Sequence, residues 1–344
     1  MSFTAFTPDD SVVSSDASIS PMWSNDVTTL TAFYSSSAQE SSTPGKFYLD
    51  VYQTSSNLAN AEVQLSIAYG HVSGSGSAYF NPSIVDKTPT RDIYGQFRTL
   101  IYGDENTPFT FGSSVNTSKD IIILSVNRAR FKESFNPGSM TLTLATGSNV
   151  LKLTDDSTVT STATYIGTSR VYQLLSGSFD SVYSSAYTIS GSYGIMIPDE
   201  GLIILNPRAL ANPAGNLGGL GIIWNEDSSN TVATANPSYN YNNRIVFNLL
   251  NNGASFRLQN YETISSRYFF VRVRNAENNY TTNPTVIDSN GNLLYTSLIY
   301  NPQTFITTVG MYNNSGDLVA VAKLNKPLVK DFTKELLLRV KLDF

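Results

Sequence analysis

The chain has 344 residues, a net charge of −5, one histidine and no cysteine. Nucleophilic, metal-dependent and acid–base catalysis near neutral pH rely mainly on His and Cys, so the usual catalytic triads and zinc patterns lack their parts. The negative charge disfavours a nucleic-acid partner. No apolar run is long enough for a membrane-spanning helix. We therefore predict a protein that is not an enzyme, with no cofactor, no metal, no nucleic-acid partner and no membrane partner.

Tyrosine and phenylalanine number 20 and 18, whereas charged residues make up only 14% of the chain. The charged share of a soluble globular protein is typically roughly 25%. Serine, threonine, asparagine, tyrosine and β-branched residues are abundant instead. This composition is typical of β-rich surfaces that bind other proteins and assemble with them.

The first 45 residues are rich in Ser, Thr, Asp and Pro, with isolated apolar residues that include Phe6, Trp23 and Phe33. Such a segment cannot bury enough apolar surface by itself to offset the entropy lost on ordering. We therefore predict an extended, ordered N-terminal arm over 1–45 that docks on a partner. If the three aromatic side chains pack only against their own chain, this hypothesis fails.

Strand patterns dominate the next part of the chain. Residues 47–52 and 63–69 alternate between apolar and polar side chains, which predicts half-buried strands. The continuous apolar run 120–126 predicts a strand that is buried on both faces. Residues 140–144 and 150–153 predict a hairpin.

Only two helices are predicted. Thr88 followed by Pro89 is typical of a helix start, and Gly103 of a helix end, so a helix is expected near 89–102. A second, brief helix is expected over 244–250, before an Asn-Asn-Gly stop.

The segment between these helices gives weaker patterns. Short strands are predicted around Tyr165 and over 171–175. Residues 195–197 and 202–205 predict two strands on either side of a proline-led turn. The Asn-, Pro- and Gly-rich residues 211–243 predict a long loop.

The last ninety residues give the clearest strand pattern. Residues 268–274 alternate, and Asn- and Gly-containing turns at 288–292 and 313–317 each lie between apolar runs. A terminal strand places five side chains on one face, which we expect to pack into a core and to hold the C-terminus inside a sheet: Leu336, Leu338, Val340, Leu342 and Phe344.

These patterns together predict a mainly β protein of two antiparallel, sandwich-like domains with one or two short helices. The first domain is predicted over 46–155 and contains the helix near 89–102. The second is predicted over 156–344 and ends in the in-sheet strand. Both follow the N-terminal arm of residues 1–45.

Several polar motifs favour structural interpretations. Asp288-x-Asn290-x-Asn292 begins like a calcium loop, but Ile299 stands where a bidentate glutamate belongs, so we interpret it as a turn. The glycine-rich residues 215–221 lack the lysine of a phosphate-binding loop. Adjacent carboxylates, which a glycosidase could use, are interpreted as turn residues: Asp9–Asp10, Asp104–Glu105, Asp155–Asp156, Asp199–Glu200 and Glu226–Asp227.

The densest basic cluster consists of Arg128, Arg130 and Lys132, with Phe131 between the last two. A phosphate site is one interpretation, but the net negative charge disfavours it. We predict that these three side chains form an interface to a sister subunit, because arginine is enriched at protein interfaces. His71 is interpreted as a loop histidine with no special role.

Several segments resemble structural proteins of large contractile-tailed bacteriophages, notably T4-like phages of marine cyanobacteria. The resemblance spans most of the chain after about residue 88, and the C-terminal segments are the most specific. They are Asp92–Arg98, Ile101–Asn106, Arg128–Lys132, Asn136–Gly138, Tyr193–Asn206, Asn283–Thr285, Thr307–Asn313, Leu318–Leu324 and Arg339–Phe344.

The resemblance implies a virion component of the tail, at the baseplate or where fibres attach. The partners expected from it are other tail and baseplate proteins and, within the particle, copies of the chain itself. It implies no catalytic residues. A capsid or neck protein is the nearest alternative, and a glycan-binding or glycan-cleaving tail-tip protein is the alternative from another class.

Overall fold

The structure is a computed structural model that describes residues 5–36, 48–74, 89–113, 115–160, 162, 164–215, 217–224, 241–281 and 283–343. Phe47, Thr88 and Phe344, which enter three of the predictions, lie outside these residues. The fold is mainly β, as predicted, with antiparallel sheets and few short helices.

The strands are, in chain order, β1 (Ser11–Pro21), β2 (Thr29–Leu30), β3 (Tyr34–Ser35), β4 (Tyr48–Tyr52), β5 (Val63–His71), β6 (Phe109–Thr110), β7 (Thr117–Ser118), β8 (Asp120–Val126), β9 (Ser134–Phe135), β10 (Thr141–Thr146), β11 (Asn149–Asp155), β12 (Thr164–Ile166), β13 (Ser169–Ser178), β14 (Ser181–Ser184), β15 (Gly194–Ile197), β16 (Leu202–Leu205), β17 (Phe256–Arg257), β18 (Gln259–Val273), β19 (Thr304–Tyr312), β20 (Leu318–Lys330) and β21 (Leu336–Asp343). The helices are α1 (Pro89–Tyr102), α2 (Pro207–Ala211), α3 (Tyr241–Asn251) and α4 (Thr296–Tyr300). Single 3-10 turns occur at Pro8–Asp10 and Asp156–Thr158.

The described chain divides into two compact units. Residues 18–262 form the larger unit, and residues 5–17 with 263–343 form the smaller one. The sequence places a domain boundary between 155 and 156 instead. No unit ends there, because β11 before this point and β13 after it are paired neighbours in one sheet.

A 13-stranded antiparallel sheet is the frame of the larger unit. Its order is β2-β17-β10-β11-β13-β15-β16-β8-β5-β4-β3, with β12 and β14 paired to β13. The central strand β8 is buried on both faces, as predicted: Ile121 and Ile123 belong to one apolar core, and Ile122, Leu124 and Val126 belong to another.

The smaller of these two cores is covered by α1, which matches the predicted helix. Ile93, Tyr94 and Ile101 are its buried apolar side chains. The helix comes so close to β5 that a Cβ on Gly70 would lie 2.9 Å from the Tyr94 backbone nitrogen. Gly103 ends the helix in the left-handed region, at φ +66°.

The larger core lies on the other face of the sheet, which is curled so that both of its ends contribute. Leu30 of β2 and Phe256 of β17 come from one end, and Val51 of β4 comes from the other. Leu210 of α2 and Phe247 of α3 also belong to this core. The observed α3 extends beyond the predicted helix at both ends.

Residues 18–36 belong to the larger unit rather than to a separate arm. Here β2 pairs with β17, and β3 pairs with β4. Trp23 and Phe33 are only 2% and 4% exposed in the larger core. The ring of Trp23 lies 5.0 Å from that of Phe256, measured between centroids. Residues 18–36 of the predicted docking arm are thus bound by the chain's own sheet and core.

In the smaller unit, β21 pairs antiparallel with β18 over eight residue pairs. Leu338 and Val340 are buried, which confirms the predicted inward face of the terminal strand. Within the described part of the chain β18 lies between β1 and β21, so β21 is an edge strand and not an inner one. β19 and β20 form a separate two-stranded sheet around the predicted turn at 313–317.

We predict that Trp23→Ala destabilises the protein by about 3–5 kcal/mol, since it removes a buried aromatic side chain from a closed core. Trp23→Phe should cost clearly less. It keeps a ring against Phe256, and it removes an indole N–H that is buried without an acceptor among the described residues. Urea unfolding of both variants checks this. Equal losses for the two would contradict the assigned packing.

Candidate interaction surface

The predicted basic segment follows β8, and Arg130 in it binds the N-terminal part of the larger unit. Arg130 Nη1 donates to Ser24 Oγ at 2.7 Å and lies 3.1 Å from Glu62 Oε2. Gln64 Nε2 donates to the same Ser24 oxygen at 2.7 Å. The Arg130 carbonyl accepts from Asn260 Nδ2 at 3.2 Å. Arg130 therefore joins segments that are distant in sequence inside one unit.

The other two basic side chains also contact their own unit. The Arg128 guanidinium carbon lies 4.7 Å from the centroid of the Phe131 ring, and Lys132 Nζ pairs with Glu262 Oε2 at 2.5 Å. Phe131 itself is buried, and a Cβ on Gly201 would come within 2.1 Å of its ring. The three candidate interface residues are thus brought together by the fold, but around contacts within the chain.

The three aromatic candidates separate in the structure. Trp23 and Phe33 are core residues and are closed to a partner in this conformation. Phe6 lies in the smaller unit, where its ring centroid is 5.4 Å from that of Phe269, and 43% of its surface stays exposed. Of these three residues, only Phe6 is accessible to a partner.

We predict that Arg130→Ala lowers the free energy of unfolding by about 1.5–3 kcal/mol, the usual cost of losing hydrogen bonds to a charged group. Arg128→Ala is the matched control. It removes the same charge from an exposed position, and we expect a loss of about 0.5–1 kcal/mol. Chemical denaturation of the two variants measures the difference. Equal effects would rule out the structural role assigned to Arg130.

Asp155 and Asp156 are the most buried of the adjacent carboxylates within the described ranges. Asp155 Oδ1 accepts from the backbone N–H of Gly138 at 2.9 Å, and Asp156 Oδ1 accepts from that of Gln173 at 3.0 Å. Burial raises the pKa of both carboxyls. Both connect backbone segments, which favours a structural role. Glu226–Asp227 lies outside the described residues.

The calcium-like sequence at 288–292 folds as a turn. Asp288 Oδ1 accepts from the backbone N–H groups of Asn290 and Asn292, both at 2.8 Å. Asn292 Nδ2 donates to the second carboxylate oxygen at 3.2 Å. The side chain that would begin a calcium loop thus holds its own turn together.

His71 lies at the end of β5 and is buried, whereas the sequence suggests a loop position. The backbone N–H of Ser73 donates to its Nδ1 at 3.1 Å, which requires that nitrogen to be unprotonated. Burial and, as the smaller cause, the charge of Lys119 together lower the pKa of His71 from 6.5 to about 4. The folded protein therefore favours the neutral imidazole.

We predict that His71 makes the protein less stable as the pH falls from 6.5 towards about 4. In this range the unfolded chain binds a proton that the folded chain does not, and below about 4 both forms bind it. His71→Asn keeps an acceptor for the Ser73 N–H and removes the titration. Melting temperatures measured between these pH values should fall less steeply for the variant. Parallel curves would contradict the prediction.

The β19–β20 hairpin carries several large apolar side chains that are exposed. Its turn is closed by Asn313, whose Oδ1 accepts from the backbone N–H groups of Ser315 at 3.0 Å and Asp317 at 2.8 Å. We name the exposed side chains on the hairpin and on α4 the C-terminal apolar surface: Ile299, Tyr300, Phe305, Leu318, Val319 and Val321. Tyr300 and Val319 are 90% and 67% exposed.

The base of the hairpin is fixed by Lys330, which sequence reasoning missed. Its side chain is completely buried, and its Nζ donates to Asn275 O at 2.9 Å, to Asn279 Oδ1 at 2.7 Å and to Asp331 O at 2.9 Å. All three hydrogens of the ammonium group are therefore used within the smaller unit. In sequence, this residue resembles any other lysine of a strand.

Among the described residues, no group of three or more His, Cys, Asp or Glu side chains is placed to hold a metal ion. No helix in the described ranges is long and apolar enough to cross a membrane. The chain matches no protein-family model, no curated protein and no solved structure.

Proposed function

We propose that the protein is a structural subunit of a contractile phage tail, in the baseplate or where tail fibres attach. It acts by binding other virion proteins and copies of itself, and not by catalysis. The C-terminal apolar surface is the observation that carries this proposal.

Most of the C-terminal apolar surface lies on strands that also contain segments resembling phage tail proteins. β19 and β20 contain most of Thr307–Asn313 and all of Leu318–Leu324, which resemble tail proteins. Phe305, Val319 and Val321 are exposed on the same strands. Large exposed apolar side chains that are concentrated on one element favour a surface that a partner covers.

The buried polar groups also favour assembly over chemistry. Asp155 and Asp156 accept backbone hydrogen bonds, and His71 is held neutral by its burial. A general acid or base works best with a pKa near the operating pH and with access to a substrate. These three side chains instead support the backbone around them.

We predict that gold-labelled antibodies against this chain bind intact virus particles at the end of the tail distant from the head. The measurement is electron microscopy of particles purified from an infection that expresses the chain. Antibodies against the major head protein provide the control.

Label on the head shell would replace the tail assignment by the capsid alternative. Particles without label that also lack the chain by mass spectrometry would overturn the virion assignment altogether. Hydrolysis of a host surface polysaccharide by the purified chain would overturn the non-enzymatic role.

A further inference from the structure

The two edges of the β19–β20 hairpin differ in chemistry. Within the described part of the chain this sheet has two strands, so each strand has one edge without a neighbouring strand. β20 carries Lys323, Lys326 and Pro327, whereas β19 has neither a charged residue nor a proline. Lysine and proline are the residues with which proteins protect edges against further pairing. The edge of β20 is thus protected and that of β19 is open.

A two-stranded hairpin of this length has little stability by itself. Isolated hairpins are at best marginally stable in water, and a third strand or a covered face is needed for stability. Most side chains of β19 are exposed or half-buried. A further strand on the β19 edge would pair its outward-facing backbone groups and cover its apolar side chains.

We propose that β19 pairs antiparallel with β19 of a second copy of this chain, around a two-fold axis at Thr308. The result is a four-stranded sheet in which β20 of each copy lies outermost. The facing residues are then Thr308 with Thr308, Thr307 with Val309, Ile306 with Gly310, and Phe305 with Met311.

This register suits the side chains of β19. Threonine, β-branched and aromatic residues form favourable cross-strand pairs, and no charges face each other. Gly310, opposite Ile306, has no Cβ, and the side chains of Tyr312 and Leu318 lie 3.2 and 3.3 Å from where its Cβ would be, so Ile306 would meet these two apolar side chains. The lysines of one β20 are separated from those of the other by both β19 strands. The side chains of β19 are complementary to a second β19 strand. This favours a second copy over a different protein, because a different protein could pair with β19 without any such self-complementarity.

The protected edge also determines the size of the assembly. If both edges were open, copies would add without limit and form a fibre. Because Lys323, Lys326 and Pro327 protect both outer edges of the four-stranded sheet, pairing stops at two chains. The open edge and the protected edge together therefore favour a closed dimer.

The proposed pairing deepens the assembly role proposed above and rests on it for the choice of a second copy as partner. The two can nevertheless fail separately. Particles that contain the chain only as a monomer would overturn the pairing and leave the virion role intact. A chain that dimerises in solution but is absent from particles would overturn the virion role and leave the pairing intact.

The test is sedimentation velocity of the full purified chain over a range of concentrations. We expect the wild type to form dimers that dissociate on dilution. Thr308→Glu should weaken dimerisation by more than about tenfold, because two carboxylates then face each other across the axis. Within its own hairpin the new carboxylate lies opposite Lys323, so the hairpin should stay folded. Asn325→Glu, which adds the same charge to an exposed position of β20 outside the C-terminal apolar surface, should leave the dimer unchanged.

A charge exchange tests the register. Thr308→Lys alone should also be monomeric, but its new charge lies opposite Lys323 in its own hairpin, so the diagnostic result is that an equal mixture of Thr308→Glu and Thr308→Lys chains dimerises again. Hydrogen exchange of the wild type needs no variant: the amides between 305 and 311 that face away from β20 should be protected at high concentration and exposed at low concentration.

Three results would overturn the proposal. They are a wild type that stays monomeric at all concentrations, a dimer that tolerates Thr308→Glu, and amide protection that does not change with concentration. If the mixed variants stay monomeric, the pairing is not centred on Thr308, and the proposed register is wrong.

Discussion

The central strands of the 13-stranded sheet carry apolar side chains on both faces, and the larger unit must therefore cover the sheet twice. α1 covers one face, where Gly70 lets it come close to β5. The other face is covered because the sheet curls over it. It is also covered by α2, α3 and the residues around Trp23 and Phe33. Trp23, Leu30 and Phe33 are consequently part of the core, and the segment around them is not available as a separate arm.

Local patterns in the sequence predict the elements well. β8, the hairpin of β10 and β11, α1 and the inward face of β21 follow from apolar periodicity and from turn residues, which act over a few positions. The assembly of these elements does not follow from the sequence. β2 pairs with β17 from the far end of the larger unit, and nothing local to Leu30 or Phe256 indicates that contact.

The candidate interface residues also show that the sequence predicts local features but not the contacts between distant segments. The basic segment is visible in the sequence as a charge cluster. The acids that bind it, Glu62 and Glu262, are distant in sequence, so the cluster alone indicates an external partner. Lys330 could not be recognised, because only the fold shows that it is buried. The difference in charge between β19 and β20 can be read from the sequence, but its meaning requires the strand pairing.

The burial of Asn279 has a consequence for where the chain can be made. Residues 279–281 match the Asn-x-Thr pattern of glycan acceptors. In the folded unit the Asn279 amide nitrogen donates to Asn275 O at 2.6 Å, and its oxygen accepts from Lys330 at 2.7 Å. A sugar attached to that nitrogen before folding would not fit at this buried position, so Asn279 could not take it and Lys330 would lose one acceptor. The base of the C-terminal hairpin would thus differ between a chain made in a eukaryotic secretory pathway and a chain made in a bacterial cytoplasm.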